Sequence, residues 1–248
     1  MNYIQKKCYS LLIEFDDFCC KNGVEYFLVW GTLLGAFRTG KFIEWDDDID
    51  IGMDEENFQK FVRNKDKLPE YLRFENSFSD FNRKSGIPKL RNVREIDVVD
   101  DMGVRGVTID IFVFRRYSLA QERIMKIRLV LRKIREERKK IKNNYIKYMY
   151  VVVTSPVAIF SKIYKMMTQR IVKSSPAYNV NQKVDICEWL NPHCWFSEKD
   201  IRPLSKIKFE GRLFSAPLNA KDFLEKRYGR DFMIPKRDGN RHFFNNKI

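Results

Sequence analysis

Ile4, Cys8, Leu11, Leu12, Phe15, Phe18 and Cys19 recur at intervals of three and four residues, the spacing that lines one face of a helix. This predicts an amphipathic helix over Tyr3–Cys20, stopped at Asn22 and Gly23, whose backbones tolerate the left-handed conformation that ends helices. The pattern then changes to a bulky run over Glu25–Trp30, read as a buried strand, with Gly31 and Gly35 opening a turn and short helix behind it. A second strand is predicted over Asp48–Met53. A helix follows over Asp54–Lys67, with Asp54 as its N-cap and acidic residues in its first turn, where the helix dipole favours them. Further strands are predicted at Tyr71–Glu75, Ile87–Val93 and Val107–Phe114. From about Leu119 to Val172 the pattern becomes that of long helices, broken at Ser155–Pro156 because proline lacks an amide donor and clashes with the preceding turn. A hairpin around Glu210–Gly211 and a helix from Asn219 to Gly229 close the series.

The 248 residues are 44% hydrophobic and 32% charged, which suits a globular catalytic core with a helical appendage and excludes a chain embedded throughout in lipid. Lys and Arg outnumber Asp and Glu by 47 to 33, so the surface field attracts phosphate, whether of nucleotides, nucleic acid or anionic lipid heads. The first twenty residues mix charges with apolar side chains and lack the uninterrupted apolar centre of a signal peptide, which predicts a cytoplasmic location. Five cysteines, Cys8, Cys19, Cys20, Cys187 and Cys194, form no C-x-x-C pair and read as reduced thiols; Cys194 beside His193 reads as ordinary packing.

Alternation along the predicted strand puts Asp48 and Asp50 on one face and Ile49 and Ile51 on the other. Two convergent carboxylates repel unless a cation lies between them, and hard oxygen donors with room for water and phosphate suit Mg²⁺, or Mn²⁺. Asp110 is a lone carboxylate in an apolar strand, costly to bury alone, and the cost falls if its strand lies beside that of Asp48 and the three share metal ions. The Gly31–Thr32 turn adds backbone amides and a hydroxyl that can approach phosphate closely. Lys89 and Arg91 alternate onto one face and can neutralise a diphosphate; Arg38 and Lys41 are lesser candidates for the same task. No P-loop motif and no G-x-G-x-x-G follows a strand.

The stretch Phe27–Met53, with its Trp30-Gly31-Thr32 turn and Trp45–Ile51 acidic run, resembles the LicD family of phosphocholine transferases, relatives of the fukutin proteins. Pro88–Arg91, Gly106–Phe112 and the tail with Tyr228–Phe232, Pro235, Arg237 and His242 are similar to that family as well. The resemblance implies an α+β, nucleotidyltransferase-like (polymerase-beta-type) mixed-sheet core with an inserted helical region. It divides the chain into a catalytic core at 1–118, a helical insertion at 119–180 and a segment at 181–248 that completes the core. It further implies a metal and phosphate site from Gly31, Thr32, Asp48, Asp50 and Asp110, a CDP-choline-like donor and a glycan or glycolipid acceptor; Asp110 is also a candidate proton acceptor, and His242 a candidate substrate contact.

Residues 121–147 carry eleven Lys and Arg against three Glu, and residues 148–161 carry no charge. Fourteen residues fall short of the about 20 needed to span a bilayer, so the pair of segments reads either as peripheral contact with an anionic membrane or as a core helix beside a basic one. Nucleic acid is not the expected partner, because the basic excess is separate from the carboxylates. The competing functions are a nucleotide-sugar glycosyltransferase, a nucleotidyltransferase and a non-catalytic membrane adaptor; the intact carboxylates argue against the last.

Overall fold

The first helix, α1 (Tyr3–Lys21), forms where the apolar stripe predicts it and starts at a capping box: the Asn2 side chain accepts from the Gln5 amide at 2.8 Å, and the Gln5 side chain accepts from the Asn2 amide at 2.9 Å. Its inner face, Cys8, Leu11, Leu12, Phe15 and Cys19, is buried. The computed structural model describes residues 1–75, 87–99, 103–117, 148–149, 152, 155–156, 159–160, 181–184 and 196–235.

The strand expected over Glu25–Trp30 is cut to two residues, β1 (Phe27–Leu28), because Trp30 turns the chain into helix α2 (Trp30–Thr39). Trp30 adopts φ +44°, a conformation that costs a non-glycine residue about 1–3 kcal/mol. Tertiary packing holds it there: its ring meets Phe112, Phe223 and Phe196 at centroid distances of 5.5, 5.7 and 5.9 Å, and the Arg227 guanidinium lies 4.4 Å from its centroid.

Strand β2 (Ile49–Asp54) runs into α3 (Glu55–Asn64), and Asp54 caps that helix by accepting from the Asn57 amide at 2.8 Å. Then come β3 (Leu72–Glu75), β4 (Lys89–Asn92) and β5 (Val107–Tyr117), each close to its predicted place. The sheet runs β1-β2-β5-β4-β3, and β6 (Asn181–Val184) also pairs with β5. β2 and β5 are parallel, whereas β1·β2, β3·β4 and β4·β5 are antiparallel, so the fold is an α+β mixed sheet consistent with a nucleotidyltransferase-like core. Gly52 is required at its place in β2, since a Cβ there would meet the rings of Phe27 and Phe114 at 2.7 Å.

After the short helix α4 (Glu198–Ile201), strands β7 (Leu204–Phe209) and β8 (Arg212–Pro217) form a separate hairpin. Its turn residues, Glu210 and Gly211, both take positive φ, which matches the twist of a two-residue hairpin loop. Helix α5 (Ala220–Tyr228) follows and ends at Gly229. The chain separates into two compact units, Met1–Arg115 with Lys183–Ile248, and Arg116–Gln182. In the second unit, residues 148–149, 152, 155–156 and 159–160 are helical, and the residues on either side of Ser155–Pro156, where the break is expected, lie outside the described residues.

One charged pair lies fully inside the first unit. Arg91, 1% exposed, donates through Nε to Glu75 Oε1 at 3.0 Å and through Nη1 to the Gly106 carbonyl at 2.9 Å, closing the approach to β5 against β4. Removing one partner of such a pair leaves an uncompensated buried charge. Arg91→Ala is expected to destabilise the protein by about 3–5 kcal/mol in chemical denaturation, far more than truncation of an exposed arginine.

Candidate functional site

Parallel pairing sets Ile49 against Ile109, Asp50 against Asp110 and Ile51 against Ile111. Residues directly opposite on neighbouring strands share a face, so the apolar isoleucines fill the core side while Asp50 and Asp110 stand together on the other. On the far side of β5, antiparallel pairing puts Lys89 against Asp110, and on β4's other flank Glu75 against Lys89. A row of charges, Asp50, Asp110, Lys89 and Glu75, thus crosses four adjacent strands. Lys89 Nζ lies 2.7 and 2.9 Å from the two Asp110 carboxylate oxygens. Burial lowers the Lys89 ammonium, but the charge and hydrogen bond of Asp110 outweigh it and hold the group above its ordinary value.

Asp48 lies one residue before β2, half-buried, in the acidic run that leads into the strand. Burial and then the charges of Asp48, Asp110 and Asp46 push the Asp50 carboxyl well above the carboxylate range, with Lys89 opposing. Asp46 joins this group. Its carboxyl is pushed up to about 8 by burial, by the charge of Asp48 and by a hydrogen bond with it. The alternation that pairs Asp48 with Asp50 extends back to Asp46, so the signal for this residue was present in the sequence and was passed over.

The Gly31–Thr32 turn forms the start of α2, a helix with no side-chain hydrogen bond at its N-cap. Both residues have a second task beside any phosphate. A Cβ on Gly31 would collide with the Asp46 carboxylate, so glycine here admits an acidic side chain to the helix start. The Thr32 hydroxyl accepts from the Asp50 amide at 2.9 Å and thereby ties α2 to the strand that carries the acid.

Helix α1 holds the acidic run from below. Gln5, 3% exposed, donates through its side-chain amide to the carbonyls of Asp46 at 2.8 Å, Ile43 at 3.1 Å and Glu44 at 3.4 Å, and the Cys8 thiol lies 3.3 Å from the Asp47 carbonyl. Burial first and then the neighbouring acidic charges raise the Cys8 thiol, so it stays protonated. Neither residue stood out in the sequence, where each is one more position on an amphipathic helix.

Two expected phosphate ligands lie elsewhere. Arg91 shares a face with Lys89, as alternation requires, but its guanidinium is enclosed with Glu75 and the loop carbonyls. Arg38 donates through Nε to the Phe232 carbonyl at 2.8 Å and ties the end of α2 to the segment after α5. Lys41 is exposed. His242, His193, Cys187 and Cys194 lie outside the described residues. Tyr228, at the end of α5, is within the field of the carboxylates: burial raises its hydroxyl, Arg227 opposes, and Asp50 and Asp46 add to the rise.

Among the described residues no three acidic, histidine or cysteine side chains form a ready-made metal cage. The donor chemistry still suits a hard divalent cation: carboxylate oxygens are pressed together at the cost of raised pKa values, and Mg²⁺ takes one or two carboxylates, with water and substrate phosphate completing its shell. These carboxylates stand on paired strands of a mixed α+β sheet consistent with a nucleotidyltransferase-like fold, beside a helix start opened by glycine. Residues 23–146, half of the chain, match the family described as LicD/FKTN/FKRP, nucleotidyltransferase domain, and the chain belongs to that family. It is similar to the lipopolysaccharide cholinephosphotransferase LicD of Haemophilus influenzae, 43% identical over 58 residues, which are 23% of this chain and 22% of that protein. Uncharacterized proteins of Rickettsia typhi (40% identical over 57 residues, 22% of this chain and 18% of that protein) and Rickettsia prowazekii (32% over 74 residues, 29% and 28%) are similar too. The matched stretches therefore span less than a third of these relatives' lengths.

The raised Asp46 carboxyl gives stability a definite pH slope. Between its ordinary value of 3.8 and about 8 the folded state holds a proton that the unfolded chain has released, so stability falls as pH rises through that interval. Without divalent metal, the melting temperature is expected to drop between about pH 4 and about pH 8, and Asp46→Asn should make the slope shallower. Thermal unfolding in chelator across this range checks it; an unchanged slope in Asp46→Asn would assign the buried acid to another residue.

Proposed function

We propose that the chain transfers phosphocholine, or a closely related phospho-alcohol, from a CDP-linked donor to a hydroxyl of a glycan or glycolipid. The observation that carries this reading is the in-register pair Asp50 and Asp110, with Asp48 and Lys89 beside it, inside the stretch that matches the family. The similarity to a lipopolysaccharide cholinephosphotransferase supports the choice of head group and of acceptor class.

In this reading Asp48 and Asp50 hold Mg²⁺ (Mn²⁺ would also suit the donor set), with Asp110 joining them once Lys89 turns from it to the donor. When bound, the metal compensates negative charge on the phosphoryl oxygens. Lys89 and the first-turn amides of α2 at Gly31 and Thr32 bind the donor diphosphate. The acceptor oxygen bonds to the donor phosphorus while the bond from phosphorus to the cytidine monophosphate oxygen breaks in line, and Asp110 takes the hydroxyl proton. Thr32, Gln5 and Arg91 act on this chemistry by holding the backbone that presents the acids.

The test is to incubate purified protein with Mg²⁺, a panel of CDP-alcohols and nucleotide sugars and a glycan acceptor, and to follow release of nucleotide monophosphate. Release from CDP-choline is expected; turnover of a nucleotide sugar alone would replace the proposal with glycosyl transfer. Asp48→Asn, Asp50→Asn and Asp110→Asn are each expected to lower transfer by about three orders of magnitude or more while the fold is kept. Wild-type turnover in any one would remove that residue from the site. Lys89→Ala is expected to raise the donor KM by about tenfold and to change kcat less, since a diphosphate contact acts on ground and transition states alike. An unchanged KM would count against the assignment.

A further inference from the structure

Lys89 stands where an incoming cation would. Its ammonium lies 2.7 and 2.9 Å from the two carboxylate oxygens of Asp110, in a pair whose side chains are only 16 and 13% exposed. Beyond burial and Asp110, the charge of Asp48 acts on this ammonium, and Lys89 in turn opposes the rise of the Asp50 carboxyl. One positive group therefore faces all three carboxylates read as metal ligands. A divalent cation entering the same place meets a charge of its own sign, already hydrogen-bonded to one of the acids it needs.

An ammonium enclosed to this degree leaves its carboxylate only for another anion, since a buried charge without a partner is strongly disfavoured. Glu75 is opposite Lys89 on β3, but its carboxylate is engaged by the Arg91 Nε at 3.0 Å, and both of those side chains are buried. Arg91 also opposes the Lys89 charge. An anion brought by the substrate suits better, and the diphosphate of a nucleotide donor is one. That diphosphate has the complementary difficulty, because alone it faces Asp48, Asp50 and Asp110, all of its own sign. Each ligand thus removes the obstacle to the other.

We propose that Lys89 is the specificity-determining residue that makes the site take a divalent cation and a diphosphate together and bind either one alone weakly. This rests on the reading of the carboxylates as a site for a metal and a nucleotide diphosphate; it does not depend on which alcohol the donor carries. With both ligands present, the ammonium moves from Asp110 to the diphosphate and the cation takes its place among the acids. Linkage makes the effect reciprocal, so each ligand tightens the other by the same factor.

Binding of Mn²⁺ to the full chain, followed by electron paramagnetic resonance of the free ion with and without CDP, tests it without turnover. In wild type, CDP is expected to tighten Mn²⁺ by about tenfold or more, after allowance for the Mn²⁺ that CDP holds by itself. Lys89→Met is expected to tighten Mn²⁺ alone by about tenfold and to reduce the CDP effect by about the same factor. Lys21→Met, which removes an equal charge from an exposed position at the other end of α1 from Gln5, is expected to change neither. Should Lys89→Met unfold by circular dichroism, Lys89→Gln, whose amide can still donate to Asp110, reads the same change. Unaltered Mn²⁺ affinity in the folded Lys89 variant, or a wild type whose Mn²⁺ affinity ignores CDP, overturns the inference and leaves the metal site standing. Absence of Mn²⁺ binding in wild type and variant alike overturns both.

Discussion

Repulsion among carboxylates gathered at one end of the sheet is the constraint around which the first unit is built. Burial and then the charges of Asp48, Asp110 and Asp46 raise the proton affinity of Asp50, burial and then the charge of Asp48 raise that of Asp46, and the direct countercharge in the row is Lys89. Such a cluster persists only where the backbone beneath it is over-determined. Here three separate devices do so: the Thr32 hydroxyl on the Asp50 amide, the Gln5 side chain under the acidic run, and the Arg91–Glu75 pair that fixes β4 and with it Lys89. The repulsion also explains why a divalent cation and a phosphate suit the place better than another ion pair would. A cation relieves the acids, and a phosphate then offers Lys89 an alternative partner.

Much of this was legible in the chain. The α1 stripe, the Asp54 cap and the Glu210–Gly211 turn are local signals, decided by neighbours within a few positions, and each formed close to where it was predicted. The failures are non-local. Trp30 was expected to extend a strand because it ends a run of bulky residues; its actual conformation is set by rings at Phe112, Phe196 and Phe223, which come from three distant parts of the chain. Alternation put Arg91 on the correct face but says nothing about depth, and the Glu75 that encloses it pairs from another strand. Arg38 looked like a phosphate ligand because of its nearness in sequence to Gly31, whereas the segment it holds lies almost two hundred residues later.

The family match supplies a boundary that the fold alone does not. It ends at residue 146, and inside it lie Gly31, Thr32, Asp48, Asp50, Lys89 and Asp110. The uncharged stretch begins at residue 148. The candidate site residues therefore lie in the matched part of the chain, and the uncharged stretch lies beyond it.

Gln5 joins two events that are usually independent. As the N3 residue of the capping box it completes the first turn of α1, and the same side chain holds carbonyls about forty positions away. First turns of helices ordinarily fray on fast timescales. Here fraying would release the acidic run along with the turn, so exchange of the Gln5 amide proton with solvent becomes a reporter on the order of that run. Whatever steadies the carboxylates should be felt as added protection at the helix start, and a chain that has folded its sheet but not yet seated that turn would be compact and inactive.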